Sequence, residues 1–297
     1  MTDTLKTPEG RLRTIQNDIA KMPSLSTTVT KVLEICNRPD TSPNDLNRVI
    51  SLDPVLTGQV LKLVNSAYYS LPNQVSSLTR AIIMLGLNTV KNLALSTAVL
   101  QSIGKKNSFQ ALSMEQFWTH CLTVGVTAKR LAAAQRVPVS EREEYFVAGL
   151  LHDLGKIPLN NRFPDEYLQA MKMAEEDQGS LYRFESSVFG INHCIVGRLI
   201  AEKWKLSPMV TDSLSLHHHP HQAGEETFRL LSTIALSNTY SHAIQKGDDD
   251  RFVSENQTIL DLLDKVNLSL DLLLELKETV SEEVDKAKIF LQVSGKG

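Results

Sequence analysis

The sequence predicts an all-α protein in which a multi-helical N-terminal lobe is followed by a helical bundle. Three observations carry this prediction. Ser42–Pro43 and Asp53–Pro54 each read as an N-cap followed by proline at the first helical position. Apolar residues then recur at helical spacing, as in the stretch 55–64. The alternation of apolar and polar residues that is typical of strands is almost absent from the chain.

Capping residues mark where further helices are expected to begin and end. Ser113 with Gln116, and Ser140 with Glu143, have the spacing of capping boxes. They predict helices over roughly 114–135 and 141–154, and Gly155 is expected to stop the second. Further helices are predicted from Ser77 to Gly86, from Asn192 to about Trp204 and over roughly 225–245. Others are predicted to begin at Asn88, at Ser207 and near Ser269.

The chain is predicted to divide into three parts. With 297 residues it is long enough for two lobes, and the polar stretch Gly104–Ser108 interrupts the helical pattern between them. We expect an N-terminal helical lobe over 1–106 and a second helical domain over 107–250. Asp248–Asp250 reads as a solvated loop, and 251–297 as an amphipathic helical tail that docks or presents a partner surface.

Composition excludes several classes of function. The formal net charge is -3 and Lys and Arg are scattered, so nucleic acid is not an expected partner. Three cysteines (Cys36, Cys121 and Cys194) without CxxC spacing argue against a disulfide framework, and we interpret them as packing residues. The N-terminus lacks the apolar core of a signal peptide, and no uncharged apolar run approaches a membrane span. A cytoplasmic protein without a membrane partner is therefore expected.

Single histidines in this chain have ordinary explanations. His120 lies in an apolar helix, where a histidine is usually a core or boundary residue. Three consecutive histidines at a helix C-terminus are usually explained by the helix dipole. His221 and His242 read as surface residues and receive no role.

The combination of histidines with Asp153 indicates a metal site. His152–Asp153 is bracketed by leucines, a costly place for a carboxylate unless a cation accompanies it. His193 opens a helix, whose positive end is expected to keep the imidazole neutral and able to bind metal. His217 and His218 come from another helix end, and converging imidazoles favour a divalent ion between them.

The order of these residues resembles that of the HD and HD-GYP phosphohydrolases: an isolated His, then His-Asp, then His, then His-His. The segment Gly149–Lys156 looks like their HDxGK element, and the resemblance implies that Lys156 helps to hold a phosphate. Further segments resemble the HD-related output domain, HDOD, and the similarity covers roughly 17–245. These segments are Met22–Leu25, Leu52–Thr57, Val64–Tyr69, Ala81–Gly86 and Phe189–His193, followed by Gly197.

The sequence departs from the catalytic pattern at two points. Asn238 stands where HD enzymes place their last carboxylate ligand, and the Gly-Tyr-Pro element is missing after His218. Asp153 is then the one sure anion, with Glu185 as a candidate second carboxylate and Asn238 as a candidate weak ligand. We expect at most one tightly held divalent metal (Fe, Mn, Zn or Ni) unless Glu185 joins the ligands, and no organic cofactor.

Three functions remain open at this point. The first is a bacterial signalling module of the HDOD type, weakly catalytic or non-catalytic, whose pocket holds a metal or a phosphate-like anion and whose signalling partners act in trans. The second is an active metal-dependent phosphohydrolase, in which Asp153 and Lys156 are catalytic. The third is a helical adaptor with a metal-free polar pocket. A small phosphorylated or nucleotide ligand and a homodimer are further expectations.

Overall fold

The computed structural model describes residues 7–36, 38, 40–103, 111–177, 179–246 and 250–295. Within these ranges the chain forms helices and no strand, which confirms the predicted all-α class. The predicted boundary at Gly104–Ser108 lies outside the described residues, as do 248 and 249 of the predicted acidic loop.

The helices follow in chain order. They are α1 (Pro8–Lys21), α2 (Thr27–Cys36), α3 (Pro43–Ile50), α4 (Pro54–Val64), α5 (Leu78–Leu85), α6 (Leu87–Ser102), α7 (Met114–Ala134), α8 (Arg142–Leu151), α9 (Lys156–Arg162), α10 (Pro164–Glu176), α11 (Leu181–Phe189), α12 (His193–Trp204), α13 (Pro208–Leu216), α14 (Glu225–Lys246), α15 (Asp250–Glu255), α16 (Gln257–Val266), α17 (Leu270–Ala287) and α18 (Ile289–Val293).

Local capping explains where the helices of the N-terminal lobe begin. Ser42 and Asp45 form a reciprocal capping box, and the Asp53 carboxylate accepts a hydrogen bond from the Leu56 amide. Gly86 ends α5 with a φ of 87°, a conformation that favours glycine, and α6 starts immediately after it rather than at the predicted Asn88. Helices α2, α4 and α5 pack around α6, which is buried on nearly every side.

The second domain is built on α7 and α8, which pack along each other. Gly149 of α8 faces Gly125 of α7 so closely that a Cβ at position 149 would lie 2.7 Å from the Gly125 Cα. Because neither residue carries a side chain, the two helices approach backbone to backbone. Helices α13 and α14 cover the remaining sides of this pair, and α6 joins it to the N-terminal lobe.

The predicted helix over 141–154 is wrong at both ends. Its N-cap is Glu141, which makes no side-chain capping bond, so Ser140 and Glu143 form no capping box. Glu143 instead accepts hydrogen bonds from Tyr69 and Lys129. The helix also stops at Leu151, and the unpredicted α9 begins beyond the turn.

The turn between α8 and α9 is set by tertiary packing. A Cβ at Gly155 would lie 2.6 Å from the backbone nitrogen of Gly197, so α12 leaves no room for a side chain there. This close approach places the His152–Asp153 turn against the start of α12, a contact that local sequence patterns do not reveal.

The C-terminal helices pack onto the rest of the chain. Arg130 of α7 forms an ion pair with Glu283 of α17. Phe290 of α18 contacts Tyr68 of the N-terminal lobe and Phe146 of α8, with ring centroids 5.5 and 4.8 Å apart. The apolar face of the tail is therefore buried against its own chain.

Among the described helices, none is by itself both long and apolar enough to cross a membrane. The bent pair α5 and α6 meets that criterion only when the two are taken together, across a bend of 118°.

Candidate metal centre

Four separate places in the fold bring the predicted cluster together. His120 comes from the middle of α7, and His152–Asp153 from the turn after α8. His193 is the first residue of α12, and His217–His218 follow the end of α13. All except the half-buried His218 are buried, and the Asp153 carboxylate lies among the five imidazoles.

The two oxygens of Asp153 face different histidines. Oδ2 lies 3.4 Å from Nε2 of His120 and 3.3 Å from Nε2 of His152. Oδ1 lies 3.4 Å from Nε2 of His193 and 3.6 Å from Nε2 of His217. We call these the Oδ2 side and the Oδ1 side of the centre.

His218 completes the Oδ1 side. The Nε2 atom of His193 lies 3.2 Å from Nε2 of His217 and 3.2 Å from Nε2 of His218. Four ligand atoms placed 2.0–2.1 Å from a tetrahedral metal ion are about 3.3 Å from one another. The measured separations therefore match the edges of such a tetrahedron.

Buried polar atoms that lack hydrogen-bond partners in the described part of the chain also indicate a bound cation. Buried polar side-chain atoms nearly always have a hydrogen-bond partner. Among the residues that the structure describes, partners are absent for four buried atoms of this region: Nε2 of His120, Nε2 of His152, Oδ1 of Asp153 and Oδ1 of Asn238. One ligand atom each of His120, His152 and Asp153 lies within 4.8 Å of the others, close enough to share an ion.

Hydrogen bonds behind the histidines hold their Nε2 atoms inward. His152 donates from Nδ1 to the Gly149 carbonyl at 2.7 Å, and His217 donates from Nδ1 to the Ser213 carbonyl at 2.7 Å. The Nδ1 atom of His120 lies 3.1 Å from the Ser241 hydroxyl. Such outward bonds fix ring orientation and leave Nε2 free to bind metal.

Glu185 lies behind His193 rather than among the inward-facing atoms. Its Oε2 accepts hydrogen bonds from Nδ1 of His193 at 2.6 Å and from the His193 amide at 2.8 Å. Its Oε1 accepts one from the Tyr167 hydroxyl at 2.9 Å. The candidate second carboxylate is thus placed to orient His193 and to polarise its ring.

The expected neutral state of His193 is wrong. Burial lowers the pKa of its imidazole, but the negative charge of Glu185 and the neighbouring Cys194 more than offset this and raise the pKa to about 10. The carboxylate behind the ring therefore outweighs the helix terminus. A metal ion bound at Nε2 has to displace a proton from this ring.

His120, His217 and His218 favour the neutral form. Burial lowers the pKa of His120 to about 4. Burial, reinforced by the neighbouring histidines, holds the pKa values of His217 and His218 well below their usual range. Neutral imidazole is the form that binds a metal ion.

Lys156 neutralises the Oδ2 side. Its ammonium Nζ lies 2.6 Å from Oδ2 of Asp153, and the residue is buried. Burial raises the pKa of Asp153, but the charges of His152 and Lys156 prevail and hold that pKa well below its usual range. The carboxylate is therefore ionised.

Helix α14 closes the centre beside His120. Asn238 is buried, and one turn later His242 stacks on His120 with ring centroids 4.4 Å apart and an interplanar angle of 26°. The sequence analysis gave His242 no role, and its ring is exposed, as a surface residue would be. The four-residue spacing from Asn238 is the signal that could have placed it on the same face.

Cys194 is a second residue that the sequence analysis set aside. Donor atoms of His193, Cys194, His217 and His218 all lie within 4.8 Å of one another, and those of His120, His152 and Asp153 form a second such group. Both groups could hold a metal ion.

Comparison with known proteins gives the family. The HDOD domain model matches residues 22–220. A curated relative from Treponema pallidum (strain Nichols), named an uncharacterized protein, is 27% identical over 224 residues, which are 75% of this chain. This chain spans 42% of the length of that relative.

Solved structures share the fold. An HDOD domain protein with unknown function from Geobacter sulfurreducens superposes with a TM-score of 0.74 at 24% identity, covering 96% of this chain and 98% of that one. A candidate phosphohydrolase from Shewanella amazonensis SB2B gives 0.71 at 22%, covering 93% and 97%. Because the family model matches two thirds of the sequence, the chain belongs to the HDOD family.

Proposed function

We propose that this protein is a regulatory HDOD module of bacterial signalling, whose His/Asp pocket holds one divalent metal ion and turns over phosphate esters slowly or not at all. One observation carries the proposal. In the described part of the chain, Asp153 is the single carboxylate that faces the imidazoles, and Lys156 already neutralises one of its oxygens.

Charge balance argues against two tightly held metal ions. Two divalent ions would bring four positive charges beside the ammonium of Lys156. Asp153 and Glu185 supply two negative charges, the second from behind His193, and Asn238 is neutral. Rapid hydrolysis of phosphodiesters commonly uses two metal ions that clamp the attacking and leaving oxygens. This centre has too few anionic ligands to hold the two metal ions that such chemistry commonly uses.

The Oδ1 side is the better position for a single ion. His193, His217, His218 and Oδ1 of Asp153 would hold it there, while Glu185 orients His193 and Ser213 orients His217. A bound metal would tie three helix ends together, and with four protein ligands in tetrahedral geometry it would leave no open position for a water, as in structural sites. Mixed imidazole and carboxylate ligands suit iron, manganese, zinc or nickel.

A phosphate-like anion is supported less well than a metal ion. The resemblance implies that Lys156 holds a phosphate, but its ammonium lies 2.6 Å from Asp153 in a buried position. An anion would have to compete with this carboxylate and would meet its negative charge.

We infer that partner proteins act on this module, and the N-terminal lobe offers apolar surface for them. Leu52, Val55 and Ile83 are 77%, 65% and 71% exposed, which is unusual for large aliphatic side chains. Such residues are frequent in protein-binding surfaces.

Hydrolysis assays on metal-loaded protein test the proposal. Protein loaded in turn with iron, manganese, zinc or nickel is assayed with cyclic dinucleotides and with phosphomonoesters. We expect the wild type to be no faster than the matched variant His152→Ala. Turnover at enzyme-like rates that is lost in His152→Ala would overturn the proposal.

An active metal-dependent phosphohydrolase is the second candidate function. It is favoured by the convergence of all six residues of the His/Asp cluster on one centre. In that case Asp153 and Lys156 serve catalysis. Turnover by the metal-loaded wild type discriminates between the two functions. If only the missing carboxylate limits that turnover, Asn238→Asp should gain activity over the wild type with the same metal.

A further inference from the structure

Cys194 lies beside the Oδ1 side of the centre. It is the second residue of α12, directly after His193, and it is 5% exposed. Its Sγ atom is 3.9 Å from Nδ1 of His217. The sulfur and one nitrogen from each of His193, His217 and His218 all lie within 4.8 Å of one another.

The sulfur is not needed as a hydrogen-bond partner of His217. Nδ1 of that ring already donates to the Ser213 carbonyl at 2.7 Å, a much shorter contact than the 3.9 Å to sulfur. The 3.9 Å contact to Nδ1 of His217 is therefore too weak to explain why the thiol lies beside three imidazoles. Independently, Oδ1 of Asp153 is buried without a partner in the described part of the chain and faces the same imidazoles.

We propose that Cys194 is a thiolate ligand of the metal ion held by His193, His217 and His218. This inference rests on the metal centre proposed above and extends it. In a tetrahedral site the thiolate takes the fourth position, and Oδ1 of Asp153 balances charge beside it. With metal–nitrogen distances of 2.0–2.1 Å and a metal–sulfur distance of 2.3 Å, nitrogen and sulfur ligands of such a site lie about 3.5 Å apart. The separations in the metal-free protein, all within 4.8 Å, exceed this value by at most about 1.3 Å.

A thiolate also balances the charge of the centre. The ammonium of Lys156 and one divalent ion together bring three positive charges. Asp153, Glu185 and a Cys194 thiolate bring three negative charges, provided that the imidazoles are neutral. Without the thiolate the buried centre keeps one uncompensated positive charge, which is costly in an apolar surrounding. Binding of the metal releases the thiol proton to solvent.

The ligand set then narrows the class of metal. Thiolate and imidazole together favour zinc, cobalt, iron and nickel, whereas manganese and magnesium prefer oxygen ligands. Of the four metals that the sequence leaves open, manganese becomes the least suitable.

Cobalt(II) substitution tests the ligand directly. Metal-free protein is loaded with Co²⁺, whose visible ligand-field bands report binding and whose intense near-ultraviolet charge-transfer band reports thiolate ligation. Cys121→Ser is the matched control, because Cys121 is buried on α7 next to His120 and outside the sulfur-containing group. We expect the charge-transfer band in the wild type and in Cys121→Ser. Cys194→Ser should retain the visible bands and lose that band.

The outcomes separate the two proposals. Visible cobalt bands without a charge-transfer band in the wild type would overturn Cys194 as a ligand and leave the metal centre intact. No cobalt binding at all would overturn both. If Cys194→Ser does not fold, the wild-type spectrum alone decides. In a folded variant, Kd for Zn²⁺ should rise at least about tenfold, because even residues behind the ligands have effects of that size.

Discussion

The two sides of the Asp153 carboxylate are built from the same kinds of residue but are neutralised differently. On the Oδ2 side the ammonium of Lys156 lies 2.6 Å away and remains a cation at any physiological pH. On the Oδ1 side the positive charge is a proton on His193, which a metal ion can displace. The difference indicates that the carboxylate has a permanent internal cation on one side and an exchangeable one on the other.

Removing the shared carboxylate should have the largest effect. Asp153→Ala leaves Lys156 buried without its partner and deprives both sides of their anion. We expect metal binding to be lost and the free energy of unfolding to fall by about 3–5 kcal/mol. Urea unfolding and metal content measure the two effects, with the exposed Asp264→Ala as control. Metal content that is unchanged in Asp153→Ala would contradict the role of Asp153 as the anion that both sides share.

Removing the internal cation should affect stability more than metal binding. Lys156→Met leaves Oδ2 of Asp153 buried and uncompensated, so the metal-free protein should lose about 3 kcal/mol of unfolding free energy. Added divalent metal should restore part of this loss, because the ion takes over the missing charge. The exposed Lys265→Met is the control. A Tm shift no larger than that of the control would argue that Lys156 does not neutralise the Oδ2 side.

Glu185→Gln tests how the charge behind His193 contributes to metal binding on the Oδ1 side. The amide keeps a hydrogen bond to His193 but removes the charge that raises its pKa. We expect Kd for the metal to rise about 10- to 100-fold, as is usual when a residue behind a ligand is changed. Tyr167→Phe, which removes only the neutral hydrogen bond to Glu185, is the matched control and should change Kd much less.

The pH dependence of binding follows from the proton on His193. Its pKa is raised to about 10 in the metal-free folded protein, so metal affinity should increase about tenfold per pH unit from about 6.5 towards 10. In the absence of metal, the contribution of this proton to stability has the opposite pH dependence. The protonated ring stabilises the fold below about pH 6.5, and this contribution is lost as the pH rises to about 10. Calorimetric titrations in buffers of different ionisation enthalpy count the protons released. Between about pH 6.5 and 10, Glu185→Gln should release about one proton fewer per metal ion than the wild type, while the thiol proton of Cys194 is still released.

The smallest effect is expected from His242→Ala. This exposed ring stacks on His120, on the Oδ2 side of the centre. If the metal lies on the Oδ1 side, its Kd should change by no more than about twofold, as for other surface substitutions. A loss of binding comparable with that of Glu185→Gln would place the ion beside His120 instead.

Several features of the site were accessible from the sequence. The order of the histidines along the chain pointed to all six members of the cluster, and N-caps and apolar periodicity are local signals that place most of them on their helices or helix ends. The departure at Asn238 was likewise visible in the sequence. The division into three parts at 106 and 250 remains a prediction.

Other features depend on how distant elements pack. The role of Glu185 could not be predicted, because it depends on a turn that tertiary packing sets and that brings Glu185 against His193. The pairing of Lys156 with Asp153 depends on the short α9, whose start is set by packing against α12. Cys194 was set aside because a buried cysteine on a helix has the same local signature whether it packs or binds metal.

Metal stoichiometry of the purified wild-type protein tests the central claim most directly. Elemental analysis after loading with zinc or iron and removal of free metal counts ions per chain. The asymmetry of the two sides of Asp153 predicts one ion per chain. Two ions per chain would show that Lys156 does not replace a metal on the Oδ2 side, and none would contradict the metal centre itself.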